Sequence, residues 1–296
     1  MGNIRFIKLD KGSSDAFSHL DPYEKLRLID RANGFAIGVI GQQRGNMYPA
    51  GLLCGQLLYD SVCVEWLSVD INSQGEGVGE GLLIKAYNLA DAYGTDELTV
   101  IIPASYEKEP ALRGSDRFFK ERLFKRSKKA CADTELTVSE IRKSPGIKAL
   151  SGNNEAEEIS VQKILKTEEE KIFNSLVSIE NATFSVDMDL IRHQIDKDLS
   201  VIVKGEKRIE GAFLIQKAGD LLIPVYLYSR SKAARDAMFL TALAEAEKKY
   251  GKNQMVSVSA RQEETKELIE ELFGYSEEAS ILTASLTDYK KETEAD

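Results

Sequence analysis

The chain of 296 residues is poor in the residues that build disulfide frameworks and metal centres. Its three cysteines, Cys54, Cys63 and Cys131, are scattered and form no CxxC pair, which excludes a disulfide scaffold and a cysteine-ligated zinc site. The two histidines, His19 and His193, have no companion metal ligand at helical spacing. We therefore expect no metal cofactor, and the cysteine usage favours a reducing compartment, for which we take the cytoplasm.

Long apolar runs are also lacking. No stretch approaches the roughly 18 consecutive apolar residues that a membrane-spanning helix needs. The first six residues contain no apolar signal-peptide core, and Phe6 stands where a myristoylation signal after Gly2 needs Ser or Thr. The sequence thus predicts no membrane partner. The Gly-x-Ser-x-Gly elbow of serine hydrolases is absent too.

Acidic residues outnumber basic ones by 48 to 39, which gives a formal net charge of −9. A general nucleic-acid binder shows the opposite balance, so nucleic acid is not expected as a partner. Residues 1–150 hold 20 basic and 20 acidic residues, whereas residues 151–296 hold 19 and 28. The length and this asymmetry predict two domains, and 43% hydrophobic residues suffice for packed cores.

The order of predicted elements repeats in the two halves. Ala92-Tyr93-Gly94 ends an amphipathic helix before a strand, and Lys249-Tyr250-Gly251 does the same 157 residues later. Such an offset, with a shared order of elements, is typical of a diverged internal duplication. Residues 144–158 have the composition of a linker, so we expect an N-terminal domain at 1–143 and a C-terminal domain at 156–290.

A glycine-rich loop in the first half carries the clearest chemistry. It follows a strand predicted over 62–70 and precedes the amphipathic helix, and it contains Gln74 with glycines at positions 75, 77 and 79. Such a loop presents backbone N–H groups, together with the positive end of a helix, to an anion such as a diphosphate. A simple turn that starts a helix is the alternative. Glu80 stands where a Walker loop needs Lys, and the Gly-x-Gly-x-x-Gly spacing of dinucleotide-binding proteins is not met.

The spacing of Gln74, Gly77 and Gly79 fits the pattern Gln/Arg-x-x-Gly-x-Gly/Ala, and with the flanking strand and helix it resembles the GCN5-related N-acetyltransferase (GNAT) family. The resemblance covers about residues 1–126. It implies a mixed α/β fold whose mostly antiparallel sheet splays open between its fourth and fifth strands, with acetyl-CoA as cosubstrate in the split. By this resemblance, the residues that contact the cosubstrate are Leu67, Ser68 and Val69 along the pantetheine and Gln74, Gly75, Glu76, Gly77, Val78 and Gly79 around the pyrophosphate.

The resemblance also implies catalytic roles. Members of the family often have a Tyr that protonates the leaving thiolate, but Phe119 stands at the matching position. Tyr106, just past the fifth strand, is a candidate substitute for this acid. Glu65 on the fourth strand is our candidate base, although some members place a Glu two residues earlier, where this chain has Cys63. A structural or substrate-orienting role for Glu65 stays open.

Charged residues surround the predicted site. Glu76 and Glu80 add negative charge beside the expected phosphates. A basic run over 113–129, within and after a helix predicted at 112–124, has three interpretations: a solvated helix, a contact to the CoA 3′-phosphate, or a nucleic-acid surface.

The second half resembles a worn copy of the same fold. The offset of 157 places Ser231, Ala234 and Asp236 at the positions of Gln74, Gly77 and Gly79. We therefore expect two tandem GNAT-like domains with one acetyl-CoA site. We also expect transfer of an acetyl group to a small amine, and the negative charge of the second half favours a cationic amine as the acceptor. Two alternatives remain: a non-catalytic acyl-CoA-binding or regulatory module, and an aminoacyl transferase that uses charged tRNA.

Overall fold

The structure is a computed structural model. It describes residues 4–31, 33–43, 45–58, 61–109, 112, 115–131, 134–151, 156, 158–164, 167–177, 179, 192–206, 208–258, 263–274 and 278–293. The chain divides into two compact units, the first formed by Met1–Lys129 and Ala279–Asp296 and the second by Ala130–Glu278. No helix among the described residues is long and apolar enough to cross a membrane.

Thirteen strands and eight α-helices are assigned in the described part of the chain. The strands are β1 Arg5–Lys8, β2 Gly34–Gln43, β3 Asn46–Leu57, β4 Ser61–Val69, β5 Glu97–Pro103, β6 Lys125–Cys131, β7 Thr134–Thr137, β8 Val161–Lys163, β9 Val201–Lys204, β10 Ile209–Ala218, β11 Leu221–Ser229, β12 Met255–Val258 and β13 Glu278–Ser285. The helices are α1 Val78–Tyr93, α2 Ser115–Lys120, α3 Val138–Lys143, α4 Pro145–Leu150, α5 Glu169–Val177, α6 Lys232–Tyr250, α7 Glu263–Phe273 and α8 Leu286–Thr293.

The first unit contains a seven-stranded sheet with the order β1-β2-β3-β4-β5-β13-β6. β1 to β4 are joined antiparallel, and β4 and β5 run parallel, as a strand–helix–strand connection through α1 requires. Apolar side chains of α1, among them Leu82, Leu83 and Ala86, are buried against this sheet. This amphipathic packing is the one that the spacing in the sequence predicts.

The sheet splays between β4 and β5. Their parallel pairing runs from Ser61 opposite Glu97 to Val64 opposite Val100 and goes no further. In β4 the next residue is a bulge, because Cys54 of β3 pairs with Trp66 and Gly55 pairs with Val64. The extra residue increases the local twist and turns the end of β4 away from β5. The splayed α/β sheet predicted from the resemblance is confirmed.

The second unit contains a six-stranded sheet with the order β7-β12-β11-β10-β9-β8. β11 and β12 are parallel and flank α6 in the chain, so they correspond to β4 and β5. β11 has a bulge at the equivalent point, since Leu214 pairs with Tyr226 and Ile215 pairs with Pro224, leaving Val225 unpaired. The second unit thus repeats the central architecture of the first.

The units divide the chain differently from the domains expected at 1–143 and 156–290. β7 lies before position 143, yet it pairs with β12 in the second sheet. β13 lies near the end of the chain, yet it pairs with β5 in the first sheet, from Ser285 opposite Glu97 to Ala279 opposite Pro103. Pairing with strands that are distant in the chain assigns these two segments to their sheets, and local composition does not predict such pairing.

Three local expectations also differ. The predicted helix at 112–124 is confined to α2, and the basic residues that follow it belong to β6. A strand predicted over 135–141 ends at Thr137, because Thr137 and Glu140 form a capping box that starts α3. The predicted linker contains α4, while its residues 152–155 and 157 lie outside the described residues.

Candidate functional site

The glycine-rich loop connects β4 to α1 through eight residues, 70–77. Gly75 and Gly77 have φ angles of 78° and 80°, in the left-handed region that favours glycine. A Cβ built on either residue would meet no atom within 4 Å. These glycines therefore serve the backbone conformation and leave open space beside the loop.

The first turn of α1 has backbone donors that no described residue uses. The N-cap is Gly77, which has no side chain to cap the helix, and the first helical hydrogen bond runs from the N–H of Gly81 to the carbonyl of Gly77 at 2.9 Å. The N–H groups of Val78, Gly79 and Glu80 have no acceptor among the described residues. Unpaired N–H groups at the positive end of a helix form an anion site.

The start of the loop is held in place by side chains. Asp70 Oδ1 accepts the N–H of Asn72 at 3.0 Å, and the hydroxyls of Tyr48 and Ser73 lie 2.9 Å apart. The side-chain amide of Gln74 donates to the carbonyl of Val69 at 3.4 Å. Gln74 thus contacts the end of β4 and helps to shape the loop.

Gly79 differs from the other two glycines because it is buried. A Cβ at this position would lie 3.2 Å from Cζ of Phe118 in α2. The absence of a side chain therefore allows the Phe118 ring to pack on the first turn of α1. The sequence pattern detected this glycine but not its packing partner.

The end of β4 offers a backbone edge beside the loop. Leu67, Ser68 and Val69 are half-buried and pair with β3 on one side. Their other side faces the split, because the pairing of β4 with β5 ends at Val64. The backbone amides of an extended ligand can add to such an edge as a further strand would.

Glu65 is the bulge residue of β4 and is only 7% exposed. Its Oε1 accepts a hydrogen bond from Nε2 of Gln56 at 3.1 Å and lies 3.8 Å from the Cys63 thiol. Asn33 in turn donates from Nδ2 to the side-chain Oε1 of Gln56 at 3.5 Å and to the backbone carbonyl of Leu57 at 3.0 Å. The bulge thus places a carboxylate at the start of the split, with its orientation set by a chain of buried amides. Sequence reasoning found Glu65 but missed Gln56 and Asn33, which are distant in the chain.

Tyr106 belongs to a short 3-10 helix, Ala104–Lys108, and packs in an aromatic cluster with Tyr23 and Trp66. Its ring centroid lies 5.5 Å from that of Tyr23 and 6.1 Å from that of Trp66, the residue after Glu65. The Tyr23 hydroxyl donates to the Glu109 carboxylate. Burial, as the larger cause, and this hydrogen bond together raise the pKa of Tyr23 to about 12. Tyr106 thus packs near the residue that follows Glu65 in β4, and Tyr23 and Glu109 are additional polar groups that the sequence did not indicate.

Phe119, at the position of the usual general acid, is a core residue. It is 6% exposed and its ring packs edge-on against Phe118 and Phe124, with centroids 5.2 and 5.3 Å away. This packing gives a sufficient reason for an apolar ring at 119.

A polar cleft of about 560 Å³ opens beside the start of the loop. Its lining combines one carboxylate, one imidazole, three carboxamides, one phenol and a proline, from Asp70, His19, Gln43, Asn46, Asn72, Tyr48 and Pro49. Such a lining suits a ligand rich in hydrogen-bonding groups.

The second unit lacks this site. Only two residues, Arg230 and Ser231, connect β11 to α6. The Ser231 hydroxyl accepts the N–H of Ala234 at 3.2 Å and so caps the helix, and the bulge residue is the apolar Val225. The offset of 157 holds for the C-terminal ends of α1 and α6, whereas β11 matches β4 at an offset of 160, because the second connection is six residues shorter and α6 is three residues longer than α1.

Asp236, expected at the position of Gly79, therefore lies inside α6. It is fully buried, and burial raises the pKa of its carboxyl group, although Arg235 bonds to it at 3.0 Å and opposes this shift. The missing loop, more than this Asp, removes the anion site from the second unit.

No family model matches the sequence, and no curated protein matches it. Among solved structures, the chain is similar to a tandem GNAT protein from the clavulanic acid biosynthesis pathway, with 11% identity, a TM-score of 0.56, and coverage of 96% of this chain and 99% of that one. It is also similar to a GCN5-related N-acetyltransferase from Sphaerobacter thermophilus, with 12% identity, a TM-score of 0.59, and coverage of 95% and 96%. A glucosamine N-acetyltransferase region of a fungal multi-domain GH3 β-N-acetylglucosaminidase shows 11% identity and a TM-score of 0.59, with 96% of this chain and 38% of that one covered. At these identities the likeness concerns the fold, and the chain has a tandem GNAT fold with two GNAT-like units.

Proposed function

We propose that the chain is an N-acetyltransferase that moves an acetyl group from acetyl-CoA to an amine. The observation that carries the proposal is the set of unpaired N–H groups at the start of α1, next to the open edge of β4. The N–H groups suit a diphosphate and the strand edge suits amide groups, and CoA contains a diphosphate followed by the amide groups of its pantetheine. The solved structures that share the fold over the whole chain are named GNAT proteins, which supports the same activity.

The diphosphate of acetyl-CoA binds at the N–H groups of Val78, Gly79 and Glu80, and the pantetheine amides pair with Leu67, Ser68 and Val69. This arrangement directs the thioester towards Glu65, which precedes the paired edge in β4. Holding both reactants in this way converts a bimolecular reaction into one between bound groups.

Glu65 acts as the base. It accepts a proton from the incoming ammonium group, directly or through one water, and the neutral amine nitrogen then attacks the thioester carbonyl carbon. The C–S bond breaks, the amide forms, and the CoA thiolate takes up a proton. Because a thiol has a pKa of about 8.5, the thiolate leaves without a strong acid. Tyr106 is our candidate donor for that last proton.

The acceptor is a small amine that arrives as a cation. Near the bulge, the carboxylates of Glu65 and Glu109 and the aromatic rings of Tyr23 and Trp66 are groups that attract ammonium ions. We place the reaction in the cytoplasm, where cysteines such as the buried, free Cys54 stay reduced.

The test is to incubate the full chain with acetyl-CoA and each of a panel of small amines. Turnover is measured as the release of free CoA thiol. We expect Glu65→Gln to lower kcat by about 10²- to 10⁴-fold, since the amide cannot accept the proton, and to leave CoA affinity unchanged. Glu97→Gln changes an exposed carboxylate at the start of β5 and is the matched control. A rate within a few-fold of the parent would remove Glu65 from the mechanism, and CoA binding without turnover on any amine would favour a regulatory acyl-CoA-binding module.

A further inference from the structure

Arg122, just beyond α2, is held in an unusual environment. Its guanidinium carbon lies 4.0 Å from the centroid of the Phe118 ring, and its Nη1 donates to the Phe118 carbonyl at 2.9 Å. Its Nε is fully buried and has no hydrogen-bond partner among the described residues, where Arg122 also has no ion-pair partner. A buried donor without a partner is costly, which points to a missing acceptor.

The ring that packs on this guanidinium also packs on the anion site. The Phe118 ring contacts the Arg122 guanidinium, and its Cζ atom would lie 3.2 Å from a Cβ on Gly79, whose N–H is one of the unpaired donors in the first turn of α1. Glu76 and Glu80 bring negative charge to the same turn, so a bound diphosphate there needs a cation for balance. Arg117, within α2, already has an ion-pair partner, since it pairs with Glu121 at 2.7 Å.

The backbone after Arg122 is strained. Leu123 has a φ of 69°, in the left-handed region that glycine normally occupies. This residue lies three positions beyond α2, and the N–H groups of Arg122 and Phe124 both donate to the carbonyl of Phe119, at 2.9 and 3.2 Å. The tight turn fixes the direction in which the Arg122 side chain leaves the backbone. Backbone strain of this kind is common where a structure orients a functional group.

Given the proposed acetyl-CoA site, on which this inference rests, we propose that Arg122 binds the diphosphate of CoA. The cation then comes from the turn that follows α2 and not from the loop itself. Phe118 and Leu123 are positioning residues: the ring holds the guanidinium plane, and the turn sets its direction. A guanidinium suits this role because it donates two parallel hydrogen bonds to phosphate oxygens.

The experiment is calorimetric titration of the full chain with CoA and with 3′-dephospho-CoA, which keeps the diphosphate but lacks the 3′-phosphate. We expect Arg122→Gln to weaken both ligands by the same factor, about 10- to 100-fold, and Arg117→Gln to change neither. The slope of log affinity against log salt should also become shallower in Arg122→Gln alone, because one charge pair is lost.

Three results would overturn the assignment: unchanged affinity in Arg122→Gln, a loss confined to CoA, which would place the arginine at the 3′-phosphate, or an equal loss in Arg117→Gln. If Arg122→Gln does not fold, Arg122→Lys is the second variant, because it keeps the charge but not the paired donors. We expect it to bind CoA several-fold more weakly than the parent, and an unchanged affinity would overturn the proposal. Failure of the parent chain to bind CoA would instead contradict the proposed function, so the two failures are distinct.

Discussion

Gly77 and Gly94 form a natural pair for testing the cosubstrate site. Both flank α1, Gly77 as its N-cap and Gly94 as its C-cap, and both have a φ of 80°. A Cβ added to either would meet no atom within 4 Å. Substitution by Ala therefore causes the same backbone strain at both ends and no clash, while only position 77 adjoins the unpaired N–H groups.

The expected magnitudes follow from this geometry. An alanine in the left-handed region costs about 1 kcal/mol relative to glycine, which lowers the melting temperature by about 2–4 °C in a unit of this size. We expect Gly77→Ala and Gly94→Ala to show this decrease alike. For CoA, a Cβ in the open space beside the loop blocks the approach of phosphate, and loss of one charge-assisted hydrogen bond of about 1.5–3 kcal/mol weakens binding by roughly 10- to 150-fold.

Calorimetry on the two variants and the parent measures affinity and stoichiometry together. The parent should bind one CoA per chain, because the two-residue connection before α6 has no equivalent of the loop. Gly94→Ala should bind as the parent does. Equal CoA affinity in the two variants, or two equivalent sites in the parent, would refute the argument that this loop is the diphosphate site and that it is unique.

Two stability predictions concern other parts of the first unit. Leu123→Gly relieves the left-handed strain in the turn after α2 and should raise the free energy of unfolding, measured in urea, by about 1 kcal/mol; a decrease would show that packing of the Leu side chain outweighs the strain. Asp96 accepts hydrogen bonds from the Thr287 hydroxyl, the Ser285 hydroxyl and the Thr287 N–H, and these bonds hold its pKa below the usual value. The ionised carboxylate therefore stabilises the fold above about pH 4, and this contribution is lost as the pH falls. We expect unfolding of Asp96→Asn to depend less on pH between about 2 and 4 than that of the parent, and an unchanged pH dependence would contradict the role of this carboxylate in attaching β13 and α8.

Local patterns predicted the elements whose causes are local. The strand expected at 62–70 is β4 at Ser61–Val69, and the helix end at Gly94 is a left-handed C-cap, because apolar periodicity and a glycine specify both within a few residues. The loop was predictable for the same reason, since glycine spacing and helix polarity are neighbouring features of the sequence.

Long-range contacts account for what the sequence did not show. The predicted strand near 281–286 exists as β13, but its partner β5 lies about 180 residues earlier in the chain. Gln56 reaches Glu65 only because β3 and β4 pair around a bulge, and a bulge leaves no signal in apolar alternation. The sequence placed Phe118 and Arg122 in a basic helix predicted at 112–124, and only the packing of Phe118 on Gly79 and of Arg122 on Phe118 links them to the anion site.

The two units show how the chemistry depends on a short connection. β4 and β11 have nine residues each and carry a bulge at the fifth, so the scaffold is the same. In the second unit the bulge residue is Val225, and only two residues separate the strand from the helix, which Ser231 caps. A serine cap stabilises a helix by about 0.5–2 kcal/mol, and α1 forgoes this contribution by starting at a glycine. Without a ligand the first turn of α1 lacks this stabilisation, and an anion that accepts hydrogen bonds from its N–H groups would supply it. We therefore expect CoA, through its diphosphate, to raise the melting temperature of the first unit alone.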